Sequence, residues 1–344
     1  MPVTDRFLRA CRRESVDVTP VWFMRQAGRY MAEYRAVRRH HSILEICKTP
    51  ELAAEVTVTA AEKLGVDAAI IFADLLLPVE PMGLHLEFRD QEGPVITPAV
   101  RDRAAVDALQ PDLGGALGYV SEAIRRVATH FDGRLPVIGF AGAPFTLASY
   151  LIEGGASRTF LHTKRLMYRE PETWNELMNK LCAMLVPFLR EQVAAGARAL
   201  QLFDSWVGTL GEDDFRRYVL PYIRSVVDAV QRTDVPVIYF STGTSGYPEA
   251  IAETGAMVIS LDWRAELAAT WERLSPASAV QGNLDPVTLF APERELRRAV
   301  QHVLRQVGGR PGHIFNLGHG ILPGTPVEQV QAAVKWVHDY PLQG

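Results

Sequence analysis

The amino-acid sequence predicts a (β/α)8 TIM barrel, formed by a single α/β domain over residues 1–344 with extended loops at the C-terminal face of the strands. Eight short apolar segments rich in β-branched and aromatic residues recur along the chain. Stretches with helical periodicity separate them, which is typical of repeated βα units. No Gly-x-Gly-x-x-Gly motif follows the first segment, and this favours a closed barrel over a doubly wound nucleotide-binding sheet.

The candidate strands are short and apolar, and each precedes a polar loop. They are Val21–Met24, Ala68–Phe72, Val137–Phe140, Ala199–Phe203, Val237–Phe240, Met257–Leu261, Ala279–Gly282 and His313–Leu317. The candidate crossover helices are amphipathic, and several have a proline in the first turn, where its missing N–H costs nothing. They include Thr49–Leu64, Pro171–Ala195, Asp213–Gln231, Pro292–Val307 and Pro326–Val337.

Two connections are longer than a minimal barrel needs. Leu75–Val100, rich in proline and glycine, follows the second strand, and Ala141–Ser157 follows the third. Long loops in a compact domain are usually functional or disordered, and the aromatic residues in these two favour ordered walls of an active site.

Composition excludes several classes of partner. The 36 basic and 40 acidic residues are dispersed along the chain and give a net charge of −4, so no patch for nucleic acid or an anionic membrane is predicted. No apolar run approaches the ~18 residues of a membrane span. The first 13 residues are polar where a secretion signal is apolar. We therefore expect a cytoplasmic protein that binds a small molecule.

The sequence predicts neither a metal site nor imine chemistry. Its cysteines, Cys11, Cys47 and Cys182, form no Cys-x-x-Cys or His-x-Cys pair and are interpreted as reduced structural thiols. All lysines fall in or beside outer helices, so none is placed to form a Schiff base. They are Lys48, Lys63, Lys164, Lys180 and Lys335.

In a barrel of this type, polar residues after the strands point into the active site. Arg25 and Arg29 follow the first strand and are four residues apart. A helical turn there places both guanidinium groups on one side, where they repel each other unless an anion lies between them. Each group offers a planar fork that matches a carboxylate. The pair therefore predicts an anionic ligand, with solvated surface arginines as the alternative.

Four further residues are candidates from their positions alone. Asp74 directly follows an apolar run, and a carboxylate there can balance a cation that develops on a substrate; a loop or N-cap role is the alternative. His319 lies between two glycines that allow close approach of a ligand, although a phosphate site is a competing interpretation. Ser205 and Tyr150 are hydroxyl donors on the same face, with a structural role equally open.

Five motifs in register resemble the uroporphyrinogen decarboxylase family of the haem pathway over nearly the whole chain. They are Pro20–Met31 (PVWFMRQAGRYM), Asp67–Asp74, Gly139–Leu147 (GFAGAPFTL), Gln201–Trp206 and Phe315–Gly320. The resemblance implies that four acetate groups of uroporphyrinogen III lose carbon dioxide to give coproporphyrinogen III, without a cofactor. It also suggests a homodimer.

The resemblance further implies which residues contact the substrate, with Asp74 as the central one. The others are Arg25, Gln26, Ala27, Gly28, Arg29, Tyr150, Ser205 and His319. The chemistry agrees: protonating a pyrrole carbon supplies the electron sink that decarboxylation needs, so the enzyme must stabilise a cation. Asp74 can accept pyrrole N–H groups and offset that charge, while Arg25 and Arg29 hold carboxylates and polarise or protonate. The proton donor stays open.

Two alternatives remain at this point. A zinc- and corrinoid-dependent methyltransferase shares such a barrel, but it requires thiolate and imidazole ligands that this sequence does not supply as a His-x-Cys pair. A non-catalytic porphyrinogen carrier would share the substrate and not the chemistry; Asp74 beside an intact arginine pair argues against it.

Overall fold

A computed structural model describes residues 6–89 and 92–342. Its strands, in chain order, are β1 (Ala69–Ile70), β2 (His85–Arg89), β3 (Gly93–Thr97), β4 (Val137–Gly142), β5 (Ala197–Asp204), β6 (Val237–Ser241), β7 (Val258–Ser260), β8 (Ala279–Gln281) and β9 (His313–Ile314). Seven of them form a parallel sheet in the order β1-β4-β5-β6-β7-β8-β9. The remaining two, β2 and β3, pair as an antiparallel hairpin. The protein is therefore α/β, as predicted.

Helices connect the strands and cover the sheet. They are α1 (Arg6–Cys11), α2 (Ala32–Arg38), α3 (Ile43–Lys48), α4 (Pro50–Leu64), α5 (Arg103–Ala108), α6 (Gly118–Phe131), α7 (Pro144–Glu153), α8 (Leu161–Arg169), α9 (Pro171–Ala194), α10 (Glu212–Tyr218), α11 (Leu220–Gln231), α12 (Pro248–Ala252), α13 (Leu267–Arg273), α14 (Glu293–Val307) and α15 (Val327–His338). Short 3-10 helices occupy Leu77–Val79, Val207–Thr209 and Pro286–Phe290. In the described ranges, no helix combines the length and apolarity that a membrane crossing requires.

Seven of the predicted strands are confirmed to within a few residues, whereas the first is not a strand. Of the predicted Val21–Met24, only Val21 makes a bridge, parallel to Phe315. Its carbonyl also accepts the backbone N–H of Asp67 at 2.8 Å, next to β1. The next two residues form no strand, and a turn that leads into the Arg25 loop begins at Met24.

Both connections predicted as loops contain regular structure. Leu75–Val100 carries a 3-10 turn and the hairpin β2–β3, while Ala141–Ser157 contains α7, which begins at Pro144. The predicted helix Asp213–Gln231 is divided into α10 and α11. Pro221 lies in the first turn of α11, and because proline lacks a backbone N–H and its ring clashes with the preceding turn, α10 does not continue through it. The predicted positions of the lysines are confirmed, as all five lie in helices.

The interior of the sheet contains a polar network among apolar side chains. The Trp22 indole donates to Gln281 Oε1 at 2.9 Å. The Gln281 amide donates to Gln201 Oε1 at 3.0 Å and to Ser260 Oγ at 2.9 Å. All four side chains are fully buried. Buried polar groups need partners, so this network links β5, β7 and β8 to the segment after Val21.

Candidate active site

The segment after Val21 is an irregular loop rather than a helical turn. Arg25 adopts φ 60°, a left-handed conformation that ends any regular helix there. Gln26 holds the loop in place: its Oε1 accepts the Phe23 N–H at 3.1 Å and its Nε2 donates to the Ala68 carbonyl at 3.2 Å. Its own carbonyl accepts the Tyr30 hydroxyl at 2.6 Å. Gln26 is fully buried, so its side chain organises the loop and does not face a ligand.

The Arg25 side chain lies across Gly320. A methyl group added at Gly320 would lie 2.4 Å from Cδ and 2.7 Å from Cγ of Arg25, so only glycine leaves room for this conformation. Arg25 is exposed and makes no ion pair within the described residues. Its positive charge acts on three of the predicted site residues, Asp74, Tyr150 and His319. The loop therefore delivers an unpaired cation to the residues that follow other strands.

Arg29 is exposed and lies near the wall that precedes Asp74. Burial raises the pKa of Tyr34, and the charges of Arg38 and Arg29 oppose that rise. The Tyr34 ring packs 5.3 Å from the ring of Phe72. In the described part of the chain, the Arg29 side chain has no hydrogen bond or ion pair. A second guanidinium is thus available for an anion on this side of the site.

We expect Arg29→Lys to weaken carboxylate recognition, because an ammonium group cannot reproduce the planar two-point contact of a guanidinium. The KM for the anionic substrate should rise roughly tenfold, with kcat changed much less. Steady-state kinetics check this, with Arg224→Lys on the exposed face of α11 as the matched control. Unchanged kinetics in Arg29→Lys would remove Arg29 from the substrate site.

Asp74 follows β1 and keeps a carboxylate that no cation in the described residues pairs with. One oxygen accepts the backbone N–H of Leu76 at 2.9 Å. Burial raises the pKa of Asp74, whereas the Leu76 N–H and the charge of Arg25 oppose the rise. Part of the side chain is exposed. Asp74 thus retains acceptor capacity for hydrogen-bond donors of a ligand, in surroundings that magnify its charge.

His319 is neutral at physiological pH and presents a donor. Burial, together with the nearby charge of Arg25, lowers its pKa to about 4. Its Nδ1 accepts the N–H of Gly320 at 2.8 Å, which leaves the proton on Nε2. The ring packs edge-on against Phe240 at 6.1 Å and Trp263 at 6.3 Å. His319 is therefore suited to hydrogen bonding and not to permanent ion pairing.

Tyr150 and Ser205 lie beside Trp206, on the segments that follow β4 and β5. The rings of Tyr150 and Trp206 pack edge-on at 5.8 Å. Burial raises the pKa of Tyr150, the Trp206 side chain lowers it, and Asp74 raises it. The Ser205 carbonyl accepts the hydroxyl of Thr242 at 2.8 Å, so its backbone is anchored and its side chain stays half-buried.

Asp204 supports the region of Tyr150, Ser205 and Trp206 from the interior of the protein. Its carboxylate accepts the hydroxyls of Thr146 and Tyr239, each at 2.7 Å, and the side chain is fully buried. Burial raises its pKa to about 6, although the two hydroxyls oppose the rise. The network joins α7, β5 and β6 directly below Ser205 and Trp206.

This raised pKa predicts a pH dependence of stability. The folded-state pKa of Asp204 lies above the ordinary carboxyl value of 3.8, so the unfolded chain releases this proton at lower pH. The stabilisation is complete below 3.8 and is lost as pH rises through about 6. In Asp204→Asn, the free energy of unfolding should change less between pH 4.5 and 7.5 than in the unmodified protein. Urea unfolding at both pH values checks this, with exposed Asp228→Asn as the control; equal slopes for all three proteins would contradict it.

Phenylalanine rings form an apolar wall beside these polar residues. Phe140, Phe203 and Phe240 form a row of edge-on rings at 5.5 and 5.8 Å across the carboxyl ends of β4, β5 and β6. Phe145 and Phe240 are both fully buried, Phe145 against Trp174 of α9 and Phe240 against Phe203. Neither of these two rings lines the site; they pack behind it.

The remaining predicted residues, Ala27 and Gly28, lie in the Arg25 loop and are half-buried. A methyl group at Gly28 would approach the Arg25 carbonyl to 3.1 Å, so this glycine permits the tight turn. The loop after β7 also borders the site, although no motif in the sequence indicates it. There Asp262 is buried and accepts the N–H of Gly243 at 2.5 Å and of Arg264 at 2.9 Å. The backbone of Trp263 packs so closely that a methyl group at Gly318 would lie 2.1 Å from its nitrogen.

The cysteines are poor candidates for metal ligands. Cys11 and Cys47 are buried, and burial raises the pKa of both thiols; it raises that of Cys182 to about 11. Protonated thiols do not bind metals well. Within residues 6–89 and 92–342, no three His, Cys, Asp or Glu side chains form a group that could hold a metal ion.

Comparison with known proteins assigns the chain to a family. The family model described as uroporphyrinogen decarboxylase matches residues 3–340. A uroporphyrinogen decarboxylase of Solibacter usitatus is 57% identical over 339 residues, which cover 98% of each chain. That of Carboxydothermus hydrogenoformans is 52% identical over 340 residues, covering 98% of this chain and 97% of its own.

A solved structure shares the fold at low identity. A methyltransferase from Methanosarcina mazei superimposes with a TM-score of 0.83 at 19% identity, over 98% of this chain and 99% of its own. This likeness concerns the fold alone. The sequence matches go further, because they extend over almost the whole length at more than half identity, and the chain accordingly belongs to the uroporphyrinogen decarboxylase family.

Proposed function

We propose that this protein removes carbon dioxide from the four acetate side chains of uroporphyrinogen III and yields coproporphyrinogen III, as a cofactor-free carboxy-lyase of tetrapyrrole biosynthesis. Family membership supports the reaction. The observation that carries its mechanism is Asp74: a carboxylate at a strand end, held by one backbone N–H, that no cation of the described residues neutralises.

The proposed reaction needs a carboxylate in this position because it passes through a cation. Protonation of the pyrrole ring carbon beside the nitrogen, next to the carbon that bears the acetate, creates a conjugated iminium. When the bond to carbon dioxide breaks, its electron pair flows into this iminium and leaves an exocyclic methylene. The methylene takes up a proton and becomes the methyl group, and the ring carbon releases its added proton. Asp74 accepts the pyrrole N–H groups and stabilises the positive charge as it grows. A preorganised charge in low-dielectric surroundings stabilises such a state far more than water does.

The other polar groups bind the substrate around this centre. Arg25 lies within electrostatic range of Asp74 and holds the reacting carboxylate until it leaves. Arg29 holds a second carboxylate. Gln26, Ala27 and Gly28 shape the loop between them, and Tyr150, Ser205 and neutral His319 donate hydrogen bonds. Phe140 and Phe203 supply an apolar wall for the macrocycle, with the buried ring of Phe240 packed behind Phe203.

We further infer that the parallel sheet is a closed (β/α)8 barrel and that the chain is a single domain. Val21 supplies the missing contact between the sheet edges: its bridge to Phe315 lies beside β9, and its carbonyl accepts the Asp67 N–H beside β1. The strand of the first βα unit is thus reduced to the single bridge between Val21 and Phe315. The homodimer and the cytoplasmic location implied earlier stay predictions.

The decisive assay is anaerobic incubation with uroporphyrinogen III, followed by oxidation and counting of the carboxyl groups on the porphyrin. We expect a decrease from eight carboxyl groups to four, with carbon dioxide released. Activity should survive treatment with a chelator and dialysis. A carrier would bind the substrate and leave all eight groups in place, and restoration of lost activity by a metal would instead favour a metal-dependent enzyme.

A further inference from the structure

The loop after β7 carries an exposed arginine at the rim of the candidate site. Arg264 stacks on the ring of its neighbour Trp263, with the guanidinium carbon 4.0 Å from the ring centroid. The Trp263 ring packs edge-on against His319 at 6.3 Å. The charge of Arg264 reaches that histidine, since it contributes to lowering the His319 pKa. Arg264 therefore belongs to the surroundings of His319.

The position of Arg264 is fixed by two features of the fold. Trp263 packs directly against Gly318, where no side chain would fit. Asp262 is buried and accepts the Arg264 N–H at 2.9 Å, and the same carboxylate pairs with Nη1 at 3.2 Å. These contacts hold the loop after β7 against the loop after β9, and they set the direction from which the guanidinium approaches.

Most of the donor capacity of Arg264 is not used by the protein. An arginine has five N–H donors, and one of them meets Asp262 within the described residues. The side chain is 56% exposed. Stacking on an indole removes little of the hydrogen-bonding edge of a guanidinium, so the fork stays open to a carboxylate.

We propose that Arg264 binds a carboxylate of a side chain that is not reacting, on the part of the macrocycle next to His319. The inference rests on the proposed function. It follows from the geometry: Arg264 stacks on Trp263, the Trp263 ring packs against His319, and the guanidinium edge is exposed at this end of the site. Arg264 is thus a residue for substrate affinity and orientation, outside the reacting centre. The four propionates persist through all steps and are the carboxylates it would hold throughout.

The test compares Arg264→Met, which keeps a straight stem on Trp263 and loses the charge, with Arg264→Lys, which keeps the charge and loses the planar fork. Arg297→Met is the matched control, because Arg297 is also exposed and stacks on a tryptophan, Trp336, 5.9 Å away on helices α14 and α15. Kinetics with uroporphyrinogen III are combined with the Kd of coproporphyrinogen III, measured anaerobically by quenching of tryptophan fluorescence.

We expect KM and Kd to rise about tenfold in Arg264→Met with kcat within about twofold, an intermediate effect in Arg264→Lys, and no change in Arg297→Met. Unchanged KM and Kd in Arg264→Met would overturn the proposal. A lower kcat at unchanged Kd would also overturn it, because Arg264 would then only support the loop that contains Asp262. An equal effect of Arg297→Met would overturn it too, because the attraction would then be nonspecific. Absence of decarboxylation by the unmodified protein would instead refute the proposed function itself.

Discussion

Asp74→Asn is expected to lower kcat by about 10²–10³ while the substrate Kd changes by a few-fold at most. The amide keeps the size of the carboxylate and one acceptor, and the Leu76 N–H can still donate to it. It removes the negative charge that offsets the developing cation. Single-turnover kinetics with uroporphyrinogen III measure the chemical step separately from product release.

The comparison requires variants that test charge separately from shape. Asp74→Glu retains the charge at the wrong distance, so its loss measures how strongly the rate depends on the position of the charge and is less predictable than that of Asp74→Asn. Circular dichroism and urea unfolding confirm that each variant is folded. If Asp74→Asn turns over within a few-fold of the unmodified enzyme, Asp74 is not the group that stabilises the cation.

Gly320→Ala should lower kcat/KM by roughly tenfold to a hundredfold with little loss of stability. The added methyl group would overlap Cγ and Cδ of Arg25, at 2.7 and 2.4 Å. Because Arg25 is exposed, its side chain can move away into solvent without disturbing the core. It then no longer lies in the position from which its charge reaches Asp74 and His319.

A double-mutant cycle identifies the cause of this loss. If Gly320→Ala acts by displacing Arg25, then Arg25→Met should be almost as damaging, and the two together should cost little more than one alone. Gly118→Ala is the control, because a methyl group at that exposed helix position meets no atom within 4 Å. Additive losses, or full activity of Gly320→Ala, would contradict a role for the Arg25 conformation.

The repetition of strands and helices was readable from the sequence because buried parallel strands are continuous apolar runs and outer helices are amphipathic. The first βα unit could not be predicted correctly in this way. Val21–Met24 has the composition of a strand, but only Val21 forms a bridge, with Phe315, and a turn that leads into the Arg25 loop begins at Met24. Tertiary contacts of this kind leave no periodic signal.

The secondary structure within the long connections was missed for a similar reason. The prediction of a loop over Ala141–Ser157 is wrong at Pro144, where α7 begins, because proline is favoured in the first turn of a helix. The hairpin β2–β3 is short and half-buried, so its alternation is weak.

Most of the candidate site followed from one rule, that polar residues after barrel strands face the site. The rule placed Arg25, Asp74, Tyr150 and His319 in one region, where the structure brings them into electrostatic contact. It did not separate residues that support the site from those that line it. Gln26 and Phe145 point inward, and only the folded geometry distinguishes them. Arg264 was overlooked because no motif accompanies it.

The most direct test of the central claim is the structure of the protein with coproporphyrinogen III bound under anaerobic conditions. We expect the pyrrole N–H groups to lie about 2.7–3.2 Å from the carboxylate oxygens of Asp74, with Arg25 and Arg29 on peripheral carboxylates. A macrocycle bound with its pyrrole nitrogens turned away from Asp74, or with Asp74 paired to Arg25 instead of to the ligand, would contradict the account.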